Sequence, residues 1–215
     1  EMSPLADSSA PRWTLAENPR FVDALCDPDG LSPEQLREPL FSMKALQAWI
    51  KLHVCVTAPG DGVKLALEME AVSVEHLLYA SQRDIDLLGR SKTIAVLLPA
   101  MAYYTKAGRF APARALLDAG ATVALGTDCN PGDSPTHSMP FVMHLAMREM
   151  QMTAEEVICA ATINAARSIR EDHRVGSLDV GKDADCLILA TKDYRDLPAV
   201  MGANQVERVF RSGRE

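Results

Sequence analysis

The sequence predicts an α/β fold, a (β/α)8 barrel of the TIM type that is incomplete in this chain, and three observations favour it. Short β-branched, apolar runs alternate with helical patterns along most of the chain, as is typical of a parallel sheet. No G-x-G-x-x-G motif follows any of these runs, which argues against a dinucleotide-binding sheet. Polar residues end several of the runs, namely Asp27, His53, His76 and Asp128. Because barrel enzymes collect their active-site residues from several strand ends, this recurrence favours a barrel over an open doubly wound sheet.

The charge, the lengths of the apolar runs and the cysteine pattern limit which partners and which cellular location are expected. A formal net charge of −7 and a pI near 5.3 argue against a nucleic acid or an anionic membrane as partner. No apolar run is long enough to cross a membrane, and residues 1–13 lack the basic and apolar regions of a signal peptide. The five cysteines are scattered without a C-x-x-C pair, which indicates reduced thiols in a cytoplasmic protein.

The first part of the chain is predicted to hold a lead-in and one βα unit. Residues 1–20 contain three prolines and few periodic apolar residues, so we expect a poorly ordered lead-in. A strand is predicted at 21–25. The helix after it begins at the N-cap Ser32, has a proline in its first position and continues to about Ala48. Pro39 is expected to interrupt or kink this helix.

Four further strands and several helices follow in the same rhythm. The last helix of the series starts at the capping box of Thr153 and is predicted to continue to about Arg167. Beyond it the pattern changes to turns and short alternating runs, which predict a β-rich segment. The predicted strands are 50–56, 71–76, 93–98, 122–126, 184–190 and 205–211, with a turn-rich β segment at 175–182, and the further helices are 61–69, 82–88, 112–119 and 139–150.

The number of βα units is too small for a closed barrel. Five predicted parallel strands lie between residues 21 and 126, whereas a closed eight-stranded barrel needs about 250 residues. Either the chain is the C-terminal part of a barrel, or another route such as a partner chain closes the sheet. We therefore expect a lead-in at 1–20, a partial barrel at 21–170 and a small β appendage at 171–215. Unpaired sheet edges also predict a homo-oligomer.

Three ionisable residues at the predicted strand ends carry the chemistry. His53, His76 and Asp128 would meet at one mouth of a barrel, where they suit a hydrolytic metal site that activates water and moves protons. Taken singly, two of them have an ordinary alternative: His53 as a core histidine and Asp128 as a helix N-cap. Strand alternation places Cys55 on the face of His53 as a possible third metal ligand, and turns Glu75 towards the helix layer.

The residues around these positions resemble the imidazolonepropionase family of metal-dependent amidohydrolases. The resemblance is strong from residue 71 onward, in VSVEHLLYAS, IAVLLPAMAYY and FAPARALLDAG, and in VALGTDCNPGDSPTHSMPFVMHLA. The Thr-Asp-x-Asn-Pro-Gly run and the Leu-Leu-Pro-x-x-x-x-Tyr run are specific to this family. TINAARSI and VGSLDVGKDADCLIL are shared more widely among amidohydrolases.

The resemblance implies a fold, a reaction and roles for individual residues. It implies a (β/α)8 barrel with a small β-sandwich, and hydrolytic ring opening of 4-imidazolone-5-propanoate to N-formimidoyl-L-glutamate, a small-molecule reaction of histidine degradation. One divalent metal, zinc or iron, would be held by His53 and Asp128. Asp128 and His76 would be catalytic, with Asp128 taking the proton from water. The substrate would be bound by His76, Asn130, Gly132 and Asp133.

The chain also departs from the family pattern in two places. The His-x-His pair of metal ligands expected on the first barrel strand does not occur in this sequence, and Val54-Cys55-Val56 replaces an acid-containing segment after His53. Metal binding by this chain alone is therefore expected to be weak or absent. These departures leave open a truncated or inactive relative that acts as a binding or scaffold protein, and more remotely an enzyme that deaminates a cyclic amidine.

Overall fold

The computed structural model describes residues 19–215, and its main element is a five-stranded parallel sheet. The strands pair in sequence order, and all four neighbouring pairs are parallel, which confirms the predicted sheet. Within the described residues β1 and β5 are the two edges of the sheet, so the barrel is not closed. Most of the lead-in predicted at 1–20 lies outside the described residues. The strands are β1 (Phe21–Cys26), β2 (Trp49–Val54), β3 (Ser73–His76), β4 (Ile94–Leu97) and β5 (Val123–Leu125).

Helices connect and cover the strands of this sheet. α1 begins with a capping box in which the Ser32 hydroxyl accepts from the backbone N–H of Gln35 and the Gln35 side chain accepts from that of Ser32. Of the two predicted effects of Pro39, an interruption or a kink, the interruption does not occur, because the buried face of the helix is continuous on both sides of the proline. Its burial outweighs the loss of one backbone hydrogen bond. The helices along the sheet are α1 (Pro33–Ala45), α2 (Gly62–Glu68), α3 (Gln82–Gly89), α4 (Pro99–Tyr104) and α5 (Ala113–Asp118).

Three helices lie between the last strand of this sheet and the first strand of the small C-terminal sheet. They are α6 (Met139–Met150), α7 (Ala154–Ala161) and α8 (Ile163–Ser168). The single helix predicted from Thr153 to Arg167 is therefore two helices. Thr162, with φ −121° and ψ −94°, breaks the helical path between α7 and α8.

The two faces of the sheet differ in character. Residues such as Ile50, Leu52 and Val74 point to the helices and form the main hydrophobic core. On the opposite, inner face the strand register aligns polar residues of β1–β3 with apolar residues of β4 and β5. The polar members are Asp23, Lys51, His53, Ser73 and Glu75, and the apolar members are Ile94, Val96 and Ala124. The first three strands of the inner face can therefore hold a polar site.

The segment from α8 onward crosses the amino ends of the strands. Asn164 Nδ2 donates to the first carbonyl of β5 over 2.8 Å. At the other edge of the sheet, Arg20 donates to the carbonyl of Ile169 over 3.2 Å, and the guanidinium of Arg170 lies 4.0 Å from the ring centre of Trp49. This segment therefore links β5 to β1 and β2, although the strands themselves do not close.

The last part of the chain is smaller and less regular than predicted. β6 (Cys186–Leu189) and β7 (Val206–Phe210) form a two-stranded antiparallel sheet, and between them α9 (Asp196–Ala199) packs on α6 and α7. Residues 175–182, predicted to contribute β structure, form turns. Within residues 19–215 no helix combines the length and the apolar character needed to span a membrane.

Candidate active site

An open cavity of about 620 Å³ lies at the carboxyl ends of the strands. His53, His76, Asp128, Asn130 and Asp133, all predicted site residues, line it. Gly132, predicted with them, is not among the lining residues. Apolar and aromatic walls complete the cavity, formed by Leu25, Val56, Leu78, Tyr79, Met101 and Ala107. The structure therefore brings together residues that are far apart in the sequence at the edge of the sheet where parallel α/β folds place their chemistry.

His53 and His76 are in direct contact at the base of this cavity. Nδ1 of His53 lies 2.7 Å from Nε2 of His76. Strand alternation alone would not produce this contact, because His76 is in register with the core residue Val54. The backbone of His76 instead adopts a left-handed conformation with φ +74°, which ends β3 at this residue. The change of backbone direction accounts for the imidazole reaching the site.

Asp23 extends the pair into a chain of three groups. Nε2 of His53 lies 3.0 Å from a carboxylate oxygen of Asp23. When His53 is neutral and donates to Asp23, its Nδ1 accepts a hydrogen bond from His76; when His53 is charged, it donates in both directions. In both states Nδ1 of His76 is buried and has no partner among the described residues. That nitrogen is free to meet a ligand.

The environment shifts the pKa values of the two histidines in opposite directions. Burial, together with the nearby charge of His53, lowers the pKa of His76 to about 4, so His76 is neutral at physiological pH. Burial also lowers the pKa of His53, but the hydrogen bond and charge of Asp23 outweigh it and leave that pKa raised. Of the two, His53 is therefore the one that carries a proton more readily.

Glu75 lies on the inner face of the sheet, contrary to the prediction that it faces the helix layer. It is in register with His53 on the neighbouring strand, so both side chains emerge on one side. Glu75 Oε1 is 2.8 Å from Lys51 Nζ and accepts from Ser73 Oγ over 2.6 Å. Burial raises the pKa of Glu75, although Lys51 opposes the shift. Its second oxygen, Oε2, is buried without a partner among the described residues.

Three side chains at this position have the arrangement of a metal site. One ligand atom each from Asp23, His53 and Glu75 lies within 4.8 Å of the others. Carboxylate oxygens and an imidazole nitrogen suit a divalent cation, and Glu75 Oε2, which has no hydrogen-bond partner among the described residues, is available as a ligand atom. The residues present therefore fit a metal ion. Asp128, predicted as a ligand together with His53, lies outside this group of three.

Cys55 does not belong to the site, contrary to the prediction that it shares the face of His53. β2 ends at Val54, and Cys55 has a left-handed backbone with φ +51°. Its side chain is 1% exposed and packs in the hydrophobic core. Burial, followed by the charge of Asp84, raises the pKa of the Cys55 thiol to about 11, so this thiol is a poor metal ligand.

Asp128 faces the cavity from the loop after β5. Its backbone is left-handed, with φ +52°, and its side chain is half-buried. Burial raises the pKa of Asp128, the charge of His53 lowers it, and those of Asp133 and Asp23 add to the increase, with a net upward shift. A carboxylate whose pKa is raised accepts a proton more readily than an ordinary aspartate does, which suits a group that receives and returns a proton.

The Asn130 side chain organises the loop that follows Asp128. Asn130 Nδ2 donates to the Asp128 carbonyl over 2.8 Å, and its Oδ1 accepts from the backbone N–H groups of Gly132 and Asp133 over 2.9 and 2.8 Å. The fully buried Ser134 hydroxyl fixes the end of the loop by donating to the carbonyl of Thr127. The two N–H groups that could hold a substrate carboxylate thus already have an acceptor within the loop.

The sequence analysis did not identify the inner-face residues Asp23 and Lys51, and it placed Glu75 on the wrong face. A signal for them existed, because β2 and β3 each carry polar residues two positions apart, which is the period of one strand face. In buried parallel strands such a pattern predicts a polar inner face. The missing information was the register, which aligns His53 with Glu75 and Lys51 with Ser73.

Comparison with known sequences gives a consistent result. Residues 71–215 match the profile of the Amidohydrolase family. An imidazolonepropionase of Geobacillus sp. (strain WCH70) is 43% identical over 196 residues, covering 90% of this chain and 46% of that protein. The imidazolonepropionase of Herpetosiphon aurantiacus is 38% identical over 214 residues, covering 100% of this chain and 50% of the relative. The chain thus spans about half the length of the curated relatives it matches.

Solved structures share the fold at low sequence identity. An adenosine deaminase from Xanthomonas campestris with bound zinc superposes with a TM-score of 0.71 at 19% identity, covering 90% of this chain and 51% of the other. Ochratoxinase from Aspergillus niger gives 0.72 at 22% identity, covering 90% and 50%. At these identities the similarity concerns the fold alone.

Proposed function

Because this chain belongs to the amidohydrolase family, we propose that it forms part of a hydrolase that opens the ring of 4-imidazolone-5-propanoate to give N-formimidoyl-L-glutamate. The observation that carries the proposal is the convergence of His53, His76 and Asp128 on one cavity. The relatives named imidazolonepropionase, which match along the whole described sheet, support the choice of substrate.

A divalent metal, zinc or iron, would be held by His53 and Asp128, with Asp23 and Glu75 as the carboxylates grouped around His53. When bound, such an ion supplies the charge that makes a water molecule nucleophilic at neutral pH. The buried Glu75 Oε2, which has no partner in the described chain, supports a cation beside His53.

The remaining steps fall to side chains of this chain. Water adds to the ring carbonyl carbon, the ring C–N bond breaks, a carboxylate forms, and the proton released from water ends on the departing nitrogen. Asp128, whose pKa is raised by burial, takes that proton and returns it. When His53 donates from Nδ1 to Nε2 of His76, neutral His76 carries its proton on Nδ1 and can donate it to the carbonyl oxygen, and the same contact fixes the orientation of the ring.

The substrate is oriented by the loop after Asp128 and by the apolar wall. Asn130, Gly132 and Asp133 are proposed to hold the propionate side chain. For the N–H groups of Gly132 and Asp133 to bind a carboxylate, Asn130 Oδ1 must release them, so a small rearrangement of the loop accompanies binding.

The test is an assay of the chain with 4-imidazolone-5-propanoate and added Zn²⁺ or Fe²⁺, with the product identified by mass spectrometry. We expect slow formation of N-formimidoyl-L-glutamate that is lost in Asp128→Asn. Substrate binding without turnover would instead support an inactive binding protein. Release of ammonia from cyclic amidines, with no ring opening, would replace the proposed reaction by a deamination.

A further inference from the structure

A second cavity, of about 840 Å³, lies at the opposite end of the sheet from the candidate active site. It is bordered by the first residues of the strands, including Trp49 and Ile94, and by residues just before them such as Thr93. The segment after α8 forms its remaining side. This cavity is therefore separate from the groups that act in the proposed hydrolysis.

Basic side chains dominate the border of this second cavity. Four of them, Arg90, Lys92, Arg167 and Arg170, stand against two acids, Glu70 and Asp172. Each acid already has a basic partner: Glu70 pairs with Lys44, and Asp172 lies 3.7 Å from Arg167.

Three cations therefore remain without a carboxylate at this cavity. Across residues 19–215, no carboxylate lies within salt-bridge distance of Arg90, Lys92 or Arg170. The whole chain has a net charge of −7, so this concentration of positive charge is opposite in sign to the rest of the molecule. All three side chains are exposed, so their charge faces the open cavity and an anion could approach them from solvent.

The guanidinium of Arg170 has a fixed orientation at this cavity. Its backbone is left-handed, with φ +59°, immediately after α8, and its guanidinium stacks 4.0 Å from the ring centre of Trp49. Stacking uses the face of the guanidinium and leaves the N–H donors at its edge available for an oxyanion. The stacked side chain is also held in place, which reduces the entropy lost on binding.

We propose that this cavity, which we call the basal cavity, binds a small anion that carries two or more phosphate charges. Arg90 and Arg170 would provide planar donors for phosphate oxygens and Lys92 a compact point charge. The volume exceeds that of inorganic phosphate, so a diphosphate or a phosphorylated metabolite fits better than a single ion. The site is independent of the proposed hydrolase function.

The test is titration calorimetry of the chain with inorganic pyrophosphate at constant ionic strength. We expect one-to-one binding, and at least a tenfold loss of affinity in the double variant Arg90→Gln/Lys92→Gln. The matched control is Lys64→Gln/Arg83→Gln, which removes the same charge from exposed residues of α2 and α3. Circular dichroism and melting of the unliganded variants confirm that each is folded.

The outcomes distinguish specific binding in the basal cavity from a response to the net charge of the protein. Affinity retained in the control and lost in the Arg90/Lys92 variant supports the basal cavity. An equal loss in both double variants would show that pyrophosphate responds only to net charge and would overturn the proposal. No binding to the folded wild-type chain would overturn it as well.

Discussion

Nδ1 of His53 and Nε2 of His76 lie 2.7 Å apart, on two neighbouring strands whose register pairs His53 with Glu75 instead. The contact depends on the left-handed backbone at His76. It ties the ring of a proposed catalytic residue to a proposed metal ligand, so that a change at either position alters both.

Burial of neutral His76 should make the chain sensitive to acid. Its pKa is about 4 when folded and 6.5 in the reference state, so the unfolded chain binds more protons between these values. The free energy of unfolding is therefore unaffected by the titration of His76 above pH 6.5. It decreases as the pH falls from 6.5 towards 4, by about 3 kcal/mol at most. Urea denaturation in the presence of a chelator measures it.

The control for this effect is His76→Asn, since asparagine tolerates the left-handed backbone. The variant should lose stability less steeply between pH 6.5 and 4 than the wild type. Parallel curves for the two proteins would show that another group causes the acid loss.

Zn²⁺ binding by the chain is expected to be weak and to require His53. Catalytic zinc usually has three protein ligands, often imidazoles, and here His53 is the only imidazole in the ligand group. Loss of an outer-shell partner lowers metal affinity roughly 10–100-fold, and a missing direct ligand should lower it further. The Zn²⁺ affinity of this chain should therefore be more than roughly 100-fold below that of a complete enzyme. Calorimetry on His53→Asn, Asp128→Asn and Glu75→Gln identifies the carboxylate that takes part. Tight one-to-one binding abolished by Asp128→Ala would show that further ligands exist.

Gly89→Ala should destabilise the fold, because a Cβ at this position would overlap the backbone oxygen of Ala119. The end of α3 and the turn after α5 would have to separate, at a cost of about 1–3 kcal/mol. Gly60→Ala is the matched control, because its Cβ would meet nothing within 4 Å. Thermal melting of both variants measures the difference, and equal melting temperatures would contradict the close approach.

Thiol labelling should divide the five cysteines by burial. Cys129 and Cys159 are exposed and Cys186 is intermediate, whereas Cys26 and Cys55 are buried. Burial, with smaller effects of nearby carboxylates, raises the pKa of each buried thiol to about 11, so thiolate is scarce at pH 8. A chromogenic disulfide should react with two thiols rapidly, and with Cys26 and Cys55 only in denaturant. Rapid reaction of four or five thiols in the native chain would contradict this burial.

The chain on its own is expected to associate. β1 is an edge of the sheet, and Leu25, on the inner face of that strand, is 40% exposed. An unpaired edge beside exposed apolar surface favours pairing with another chain. Analytical ultracentrifugation should therefore show dimers or larger species, and a monodisperse monomer that melts cooperatively would contradict the expectation.

The order of strands and helices could be predicted from the sequence because each buried strand is a short apolar run bounded by turn residues. The sequence contained the signal for a polar inner face, but not the partners on it, because nothing in the sequence around Asp23 aligns it with Lys51 and Ser73. His76 lines the cavity, and its strand-end position led to that expectation, but its left-handed backbone, which brings the ring there, could not be predicted. The helix α4, only six residues long, gave no periodic pattern to recognise.

The contact between Arg20 and the segment after α8 has a consequence for the kinetics of folding. Arg20 bonds to the carbonyl of Ile169 across 149 residues and pairs with Glu171. The amino end of β1 therefore cannot reach its final state until most of the chain has been synthesised. Contacts of such long sequence separation slow folding, because a large loop must close before the contact contributes. On the ribosome β1 can pair with β2 early, whereas the contacts of Arg20 form only after residue 171 has emerged.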